Sequence, residues 1–217
     1  MAKLTWDTTG DRFFETGLDR GVLYVMNNGK YGTGVAWNGL TSVSESPEGA
    51  ELTELWADGI KYANMRSAED MKATVEAYTY PEEFEVCDGT ASLVEGVTIG
   101  QQKRATFALC YRTLVGNDQD GTDHGYKIHI IYGATASPSE KQYQTVNDSP
   151  DAITFSWEMS TTPVNVTGFD KPTALVVIDS TKVSAENLKK IEDKLYGTES
   201  EEATVLLPDE IKALLGA

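Results

Sequence analysis

The sequence predicts a mainly β protein with one short helix partway along and a second helix near its C-terminus, and three observations carry that expectation. First, residues 104 to 160 hold three alternating stretches separated by polar turns. In Ile153-Thr-Phe-Ser-Trp-Glu-Met-Ser160 each odd position is large and apolar and each even one is Thr, Ser or Glu, the pattern of a strand with one greasy and one wet face. Second, Asn27–Gly32 and Asp58-Gly59 follow short apolar runs with residues that accept the positive φ of hairpin turns. Third, a 3.6-residue period appears in one clear place, where Leu188, Ile191 and Leu195 follow Ser184.

Taken in order, residues 1 to 19 read as an N-terminal arm, polar and Gly-containing with isolated Trp6, Phe13 and Phe14. Gly21–Met26 is a continuously apolar strand, and Gly34 to Ser44 a second. Residues 45 to 70 read as a projecting loop. Between Tyr31 and Ile60 it carries five acids, Glu45, Glu48, Glu51, Glu54 and Asp58, and no base. Within it, Leu52 to Tyr62 forms a hairpin about Asp58-Gly59, a surface excursion or an element that orders against a partner. Lys72–Tyr80 is a strand ended by Pro81, and Pro81–Cys87 suits a short helix closing at Asp88-Gly89. Residues 90 to 103 read as a polar connection.

Arg104–Leu114 alternates Phe107, Leu109 and Tyr111 against Ala108, Cys110 and Arg112, which predicts a half-buried strand. Tyr126–Tyr132 sends Tyr126, Ile128, Ile130 and Tyr132 one way and Lys127, His129 and Ile131 the other. Val164–Val166 prolongs the third strand past Pro163, which marks an edge or a bulge, and Ala174–Ile178 is a last buried strand. Ser184 is the N-cap of a helix that stops at Gly197. An acidic linker over 198 to 204 leads to Leu206–Leu215, read as a short amphipathic tail helix beginning near Pro208. Three divisions follow: the arm 1–19, a β domain 20–180, and a helix and tail 181–217.

Charge and chemistry narrow the function. The chain of 217 residues has 34 acidic and 18 basic residues, a net −16, which disfavours adhesion to nucleic acid through phosphate neutralisation. Its two cysteines, Cys87 and Cys110, form no Cys-x-x-Cys and no disulfide framework. No signal peptide or membrane span is expected. His124 and His129 lack a third ligand at a recognisable spacing, and Asp118, Asp120 and Asp123 beside Gly121 lack the far-end Glu of a calcium loop. There is no Gly-x-Ser-x-Gly elbow, Gly29–Gly34 lacks a P-loop ending, and no carboxylate pair stands out. Asn147-Asp-Ser149 and Asn165-Val-Thr167 fit a glycosylation pattern that has no meaning without secretion. The expectation is a protein with no cofactor, no metal and no catalytic residue.

Longer strings carry a resemblance. Leu109-Cys-Tyr-Arg-Thr-Leu, Gly116-Asn-Asp-Gln-Asp-Gly-Thr-Asp-His-Gly-Tyr126, Ala136-Ser-Pro-Ser-Glu-Lys141 and Phe155-Ser-Trp-Glu-Met-Ser-Thr-Thr-Pro-Val164 resemble the major tail protein of long-tailed, siphovirus-type bacteriophages. So do Thr5–Phe14, Gly34–Val43 and Glu76–Pro81, so that the similarity runs from about residue 3 to about 180. The resemblance implies a tail-tube-type β-sandwich or flattened barrel whose copies close into hexameric rings that stack into the tail tube, the conduit for DNA ejection. It implies the partners too: further copies of the chain, tail-tip initiator, tape measure and tail terminator proteins, and genomic DNA that passes through the lumen without specific binding. Its place would be the virion, after assembly in the host cytoplasm. A long loop at the position of 45–70 contacts the adjacent ring in that family, which points to Glu51, Leu52, Leu55, Trp56, Asp58, Gly59, Ile60 and Tyr62 as inter-ring contacts. By alternation, Glu76 and Glu158 are the candidates for the lumen. A ligand-binding β-sandwich of carbohydrate-recognising or adhesin type, and the inner tube of a tail-derived injection machine, are the alternative readings.

Overall fold

Alternation and turn chemistry set the strands, and the structure, a computed structural model, describes residues 4–145 and 151–216. These residues form β1 (Phe14–Asn27), β2 (Lys30–Tyr31), β3 (Val35–Trp37), β4 (Leu40–Gly49), β5 (Leu52–Ala57), β6 (Ile60–Arg66) and β7 (Glu69–Ala77). A single 3-10 turn, Glu82–Phe84, precedes β8 (Ala91–Val94), β9 (Val97–Ile99), β10 (Phe107–Asn117), β11 (Gly121–Ala136), β12 (Phe155–Thr161) and β13 (Leu175–Asp179). Two helices follow, α1 (Ala185–Tyr196) and α2 (Pro208–Leu215). The protein is therefore mainly β with a C-terminal helical pair.

One antiparallel sheet of nine strands runs β2-β1-β10-β11-β12-β7-β4, with β13 beside β11 and β3 beside β1, while β5-β6 and β8-β9 are separate hairpins. Asn28-Gly29 and Asp58-Gly59 make the expected turns, each with positive φ at both positions. Where the chain crosses back over β1, Gly21 leaves no room for a side chain: a Cβ there would lie 2.4 Å from Leu40 Cδ1. The close approach brings the β4 side of the sheet back toward β1, so that the sheet curls.

Inside the curl lies the first core: Leu23, Val75, Phe84, Phe107, Leu109, Ile131, Trp157 and Met159, all buried. Trp157 sits at 5.0 Å from Phe84, 5.4 Å from Tyr80 and 5.8 Å from Trp37 between ring centroids, in the edge-on geometry aromatic quadrupoles favour. A second core lies outside β1, β10, β11 and β13, where Tyr24, Cys110, Ile128, Ile130 and Tyr132 meet Leu188, Ile191 and Leu195 of α1 and Ile211 of α2. Two buried hydroxyls fix the helical layer: Tyr24 donates to the Leu195 carbonyl at 2.5 Å and Tyr132 to the Leu206 carbonyl at 2.6 Å. Ser184 caps α1, accepting from the Asn187 amide, and Gly197 ends it at φ 77°, as the sequence predicts.

Several expectations change. The half-buried strand is buried on both faces from Phe107 to Tyr111, because the small Ala108 and Cys110 let the helices close over the second face. Residues 90 to 103 hold the hairpin β8-β9 rather than a plain connection; Glu95-Gly96 turns it. The short helix at Pro81–Cys87 is one 3-10 turn that buries Phe84. Past Pro163 the strand does not continue, and Val164 makes only an isolated bridge to Thr173. Of the expected N-terminal arm, Phe14–Asp19 belong to β1 and pair with β10. The Asn147 glycosylation pattern lies outside the described residues.

Candidate assembly interface

The expected loop at 45–70 is a continuous two-stranded ribbon rather than a loose excursion. β4 and β7 pair out to Gly49 with Glu69. Ala50 and Ser67 then bridge to Ala68 and Glu51 by backbone hydrogen bonds of 3.1 Å, and β5 and β6 continue to the Asp58-Gly59 tip. A register shift between Leu55 and Trp56 adds Tyr62 as an extra residue. Cross-strand partners share a face, so Thr53, Leu55 and Ala57 lie with Met65, Ala63 and Ile60, a face with no charge on it. Leu52, Glu54 and Trp56 lie on the other with Arg66, Asn64 and Lys61, where Lys61 donates to Glu54. The eight singled-out residues all fall on or beside this arm, distributed over both faces and the tip. Met65, which sequence reasoning passed over, belongs with Leu55; it lies beyond the stretch read as the hairpin.

The large apolar side chains of the arm stand largely in water. Trp56 is 64% exposed, Ile60 63% and Tyr62 72%, and Leu52, Leu55 and Met65 are exposed with them. A two-stranded ribbon of this kind gains little by itself, and large apolar side chains gathered in water make it a candidate contact surface.

At its root the arm is tied down. Glu45 on β4 accepts from Tyr111 of β10 and from His129 Nδ1 of β11 at 3.0 Å. His129 Nε2 lies 3.0 Å from Thr113 Oγ1, and the Tyr111 and His129 rings stack at 4.8 Å. The His129 hydrogen bond, helped by Tyr111 against the opposing effect of burial, holds the Glu45 carboxyl below its usual range. Burial raises the Tyr111 hydroxyl far above its ordinary value, and the Glu45 bond adds to that. The cluster spans the inside of the curl and ties β4, β10 and β11 together.

Glu76 and Glu158 share one sheet face. Glu76 lies opposite Ser156 and Ser42, and Glu158 opposite Thr74, while Val75, Trp157 and Met159 point inward. Ser42 donates to Glu76 at 2.9 Å, and Lys72 pairs with Glu48 at 2.6 Å on the same side. This face of β4, β7 and β12 is therefore hydroxyl-rich and acidic, and the helices cover the other half of the sheet. Toward the N-terminus, Gly10 donates to Asp118 at 2.9 Å and Phe13 lies 5.1 Å from the His124 ring, while Trp6 stays 77% exposed.

The Asp118–Asp123 turn is held by its own hydrogen bonds. Asn117 Oδ1 accepts from the Gln119 and Asp120 amides, and His124 Nδ1 meets Asp120 at 3.1 Å. Among the described residues no group of three His, Cys, Asp or Glu side chains is placed to hold a metal ion, and no helix is long and apolar enough to cross a membrane.

No family model matches the chain, and no curated protein matches it. Among solved structures it is similar to a chain of the PVC sheath/tube terminator of an extracellular contractile injection system in the extended state, at 9% identity and TM-score 0.36, over 81% of this chain and 99% of that one. A chain of the anti-feeding prophage (AFP) baseplate is similar at 9% identity and TM-score 0.37, over 81% and 97%. A chain of the PVC sheath-tube complex in the extended state is similar at 12% identity and TM-score 0.33, over 74% and 88%. At these TM-scores the likeness is a loose one.

Proposed function

We propose that this protein is a structural component of a phage-tail-like assembly, and within it the tube protein whose copies close into hexameric rings and stack into the conduit for DNA. The observation that carries the proposal is the arm. Its large apolar side chains stay exposed in the single copy, so a free monomer presents a surface that association would cover. The polar face of β4, β7 and β12 supports the same reading. A wall bearing Glu76 and Glu158 among serines and threonines offers a passing phosphate backbone no cation to hold except Lys72, which Glu48 already engages. The string-by-string resemblance to major tail proteins points the same way.

In this mechanism nothing is catalysed. A heterologous contact repeated about an axis closes a ring, and sheet edges such as that of β4 pair with the neighbouring copy rather than with water. The test is negative-stain electron microscopy with sedimentation across a concentration series, with purified tail-tip complex added as initiator. Rings or hollow tubes are expected. A monomer that stays monomeric even with the initiator overturns the reading in favour of a ligand-binding sandwich.

A further inference from the structure

We infer that the charge-free face of the arm, Thr53, Leu55, Ala57, Ile60, Ala63 and Met65, docks on the β8-β9 hairpin of the next copy along the stack. The inference rests on the tube reading and names the surface that receives the arm. The hairpin, like the arm and the segment from Leu4 to Phe14, leaves apolar side chains in water: Leu93 is 62% exposed, Val94 59%, Val97 47% and Ile99 39%. It is also anchored firmly enough to receive a partner, since the Gln102 amide donates to the Gly89 carbonyl and the Ala105 amide to Val86, each at 2.9 Å.

Position and charge make the two surfaces partners. Along β7 the arm leaves at Glu69, and the strand ends at Ala77, from which the chain passes through the Phe84 turn to the hairpin. Eight residue steps of strand separate those ends by roughly 26 Å, and the arm runs roughly 30 Å further from Gly49 to Asp58. One copy cannot bring its own arm to its own hairpin, whereas two copies in head-to-tail order can. At −16 per copy, two molecules repel wherever acids face acids. The arm face carries no charge, and residues 89 to 102 carry only Glu95, at the hairpin turn, so this pairing joins two copies with little charge brought together.

The test is disulfide trapping in the assembled full chain. Cys87 and Cys110 are both fully buried and do not compete. The doubly substituted Leu55→Cys/Val97→Cys protein, oxidised with diamide after assembly, is expected to give a ladder of linked copies on a non-reducing gel, and each single variant none. Val97→Asp is expected to leave rings intact while cutting the length of stacks at least tenfold. Tubes that form from the double variant without a ladder, dimers from Leu55→Cys alone, or unchanged stacking of Val97→Asp overturn this docking while the tube reading stands. A wild-type chain that forms neither rings nor tubes with the initiator overturns both.

Discussion

Glu45 shows how a single carboxylate can set the behaviour of an element twenty residues long. Its pKa is depressed in the folded state, so the stability it contributes is present above its unfolded value of about 4.5 and disappears as pH falls through the lower folded value. The acid limb of unfolding should therefore steepen below about pH 4.5. Glu45→Gln should flatten it and cost about 1–2 kcal/mol at pH 7, a partly exposed hydrogen-bonded charge being worth less than a buried one. Urea unfolding at pH 7 and pH 3.5 checks this, and an unchanged pH dependence would count against the cluster. Trp157→Ala removes the centre of the aromatic core and should cost about 3–5 kcal/mol. The two residues differ in how visible they are in sequence. Trp157 is legible because alternation from Ile153 to Ser160 assigns it to the apolar face, a relation between near neighbours. The Glu45–His129 bond joins positions 84 apart through a curl that no local pattern encodes. His129 consequently reads as a metal candidate without a partner, when its partner is a carboxylate on another strand.

Elements differ in legibility for the same reason. The signals of α1 are all internal to it, a cap, three apolar residues at helical spacing and a terminating Gly, and the structure has each of them in place. Ile191→Ala should cost about 2–5 kcal/mol, because it opens a cavity between α1 and the sheet, and Ser184→Ala about 1 kcal/mol. Thermal unfolding of both variants measures this. The hairpin β8-β9 escaped the reading because Ser92, Thr98, Gln101 and Gln102 dilute its few apolar residues, and only Glu95-Gly96 between two short runs betrays the turn. The arm is legible as a hairpin by its Asp58-Gly59 turn, yet its outer segments read as loop, since Pro47 and the acids of β4 hide a ladder that β7 enforces. Trp56→Ser with Ile60→Ser should leave monomer stability within about 0.5 kcal/mol, as both side chains are exposed, while abolishing stacking. A large loss of monomer stability would mean that the arm packs on its own copy after all.

At the scale of the whole molecule, the curled sheet divides its surroundings. Helices cover one outer half, an acidic hydroxyl-rich face remains on the other, and apolar hairpins leave from the two ends. The mainly β class and the helical C-terminus follow from local patterns; the curl does not, since it depends on Gly21 admitting Leu40 and on β13 lying beside β11. A molecule so acidic must associate against its own charge, which fixes the sign of its response to salt. In the proposed ring six copies at −16 each would bring their fields together, and stacking would repeat the cost. The screening length falls from about 30 Å at 0.01 M salt to about 8 Å at 0.15 M. Repulsion between neighbouring copies would then weaken, while the proposed uncharged contact of arm and hairpin would be left almost untouched. The concentration needed for assembly should accordingly fall severalfold across that range, followed by light scattering, and Glu158→Lys should reduce the salt dependence by removing repulsion at its source. Assembly that weakens with salt would instead place complementary ion pairs at the contacts, and the apolar surfaces would lose their part in holding copies together.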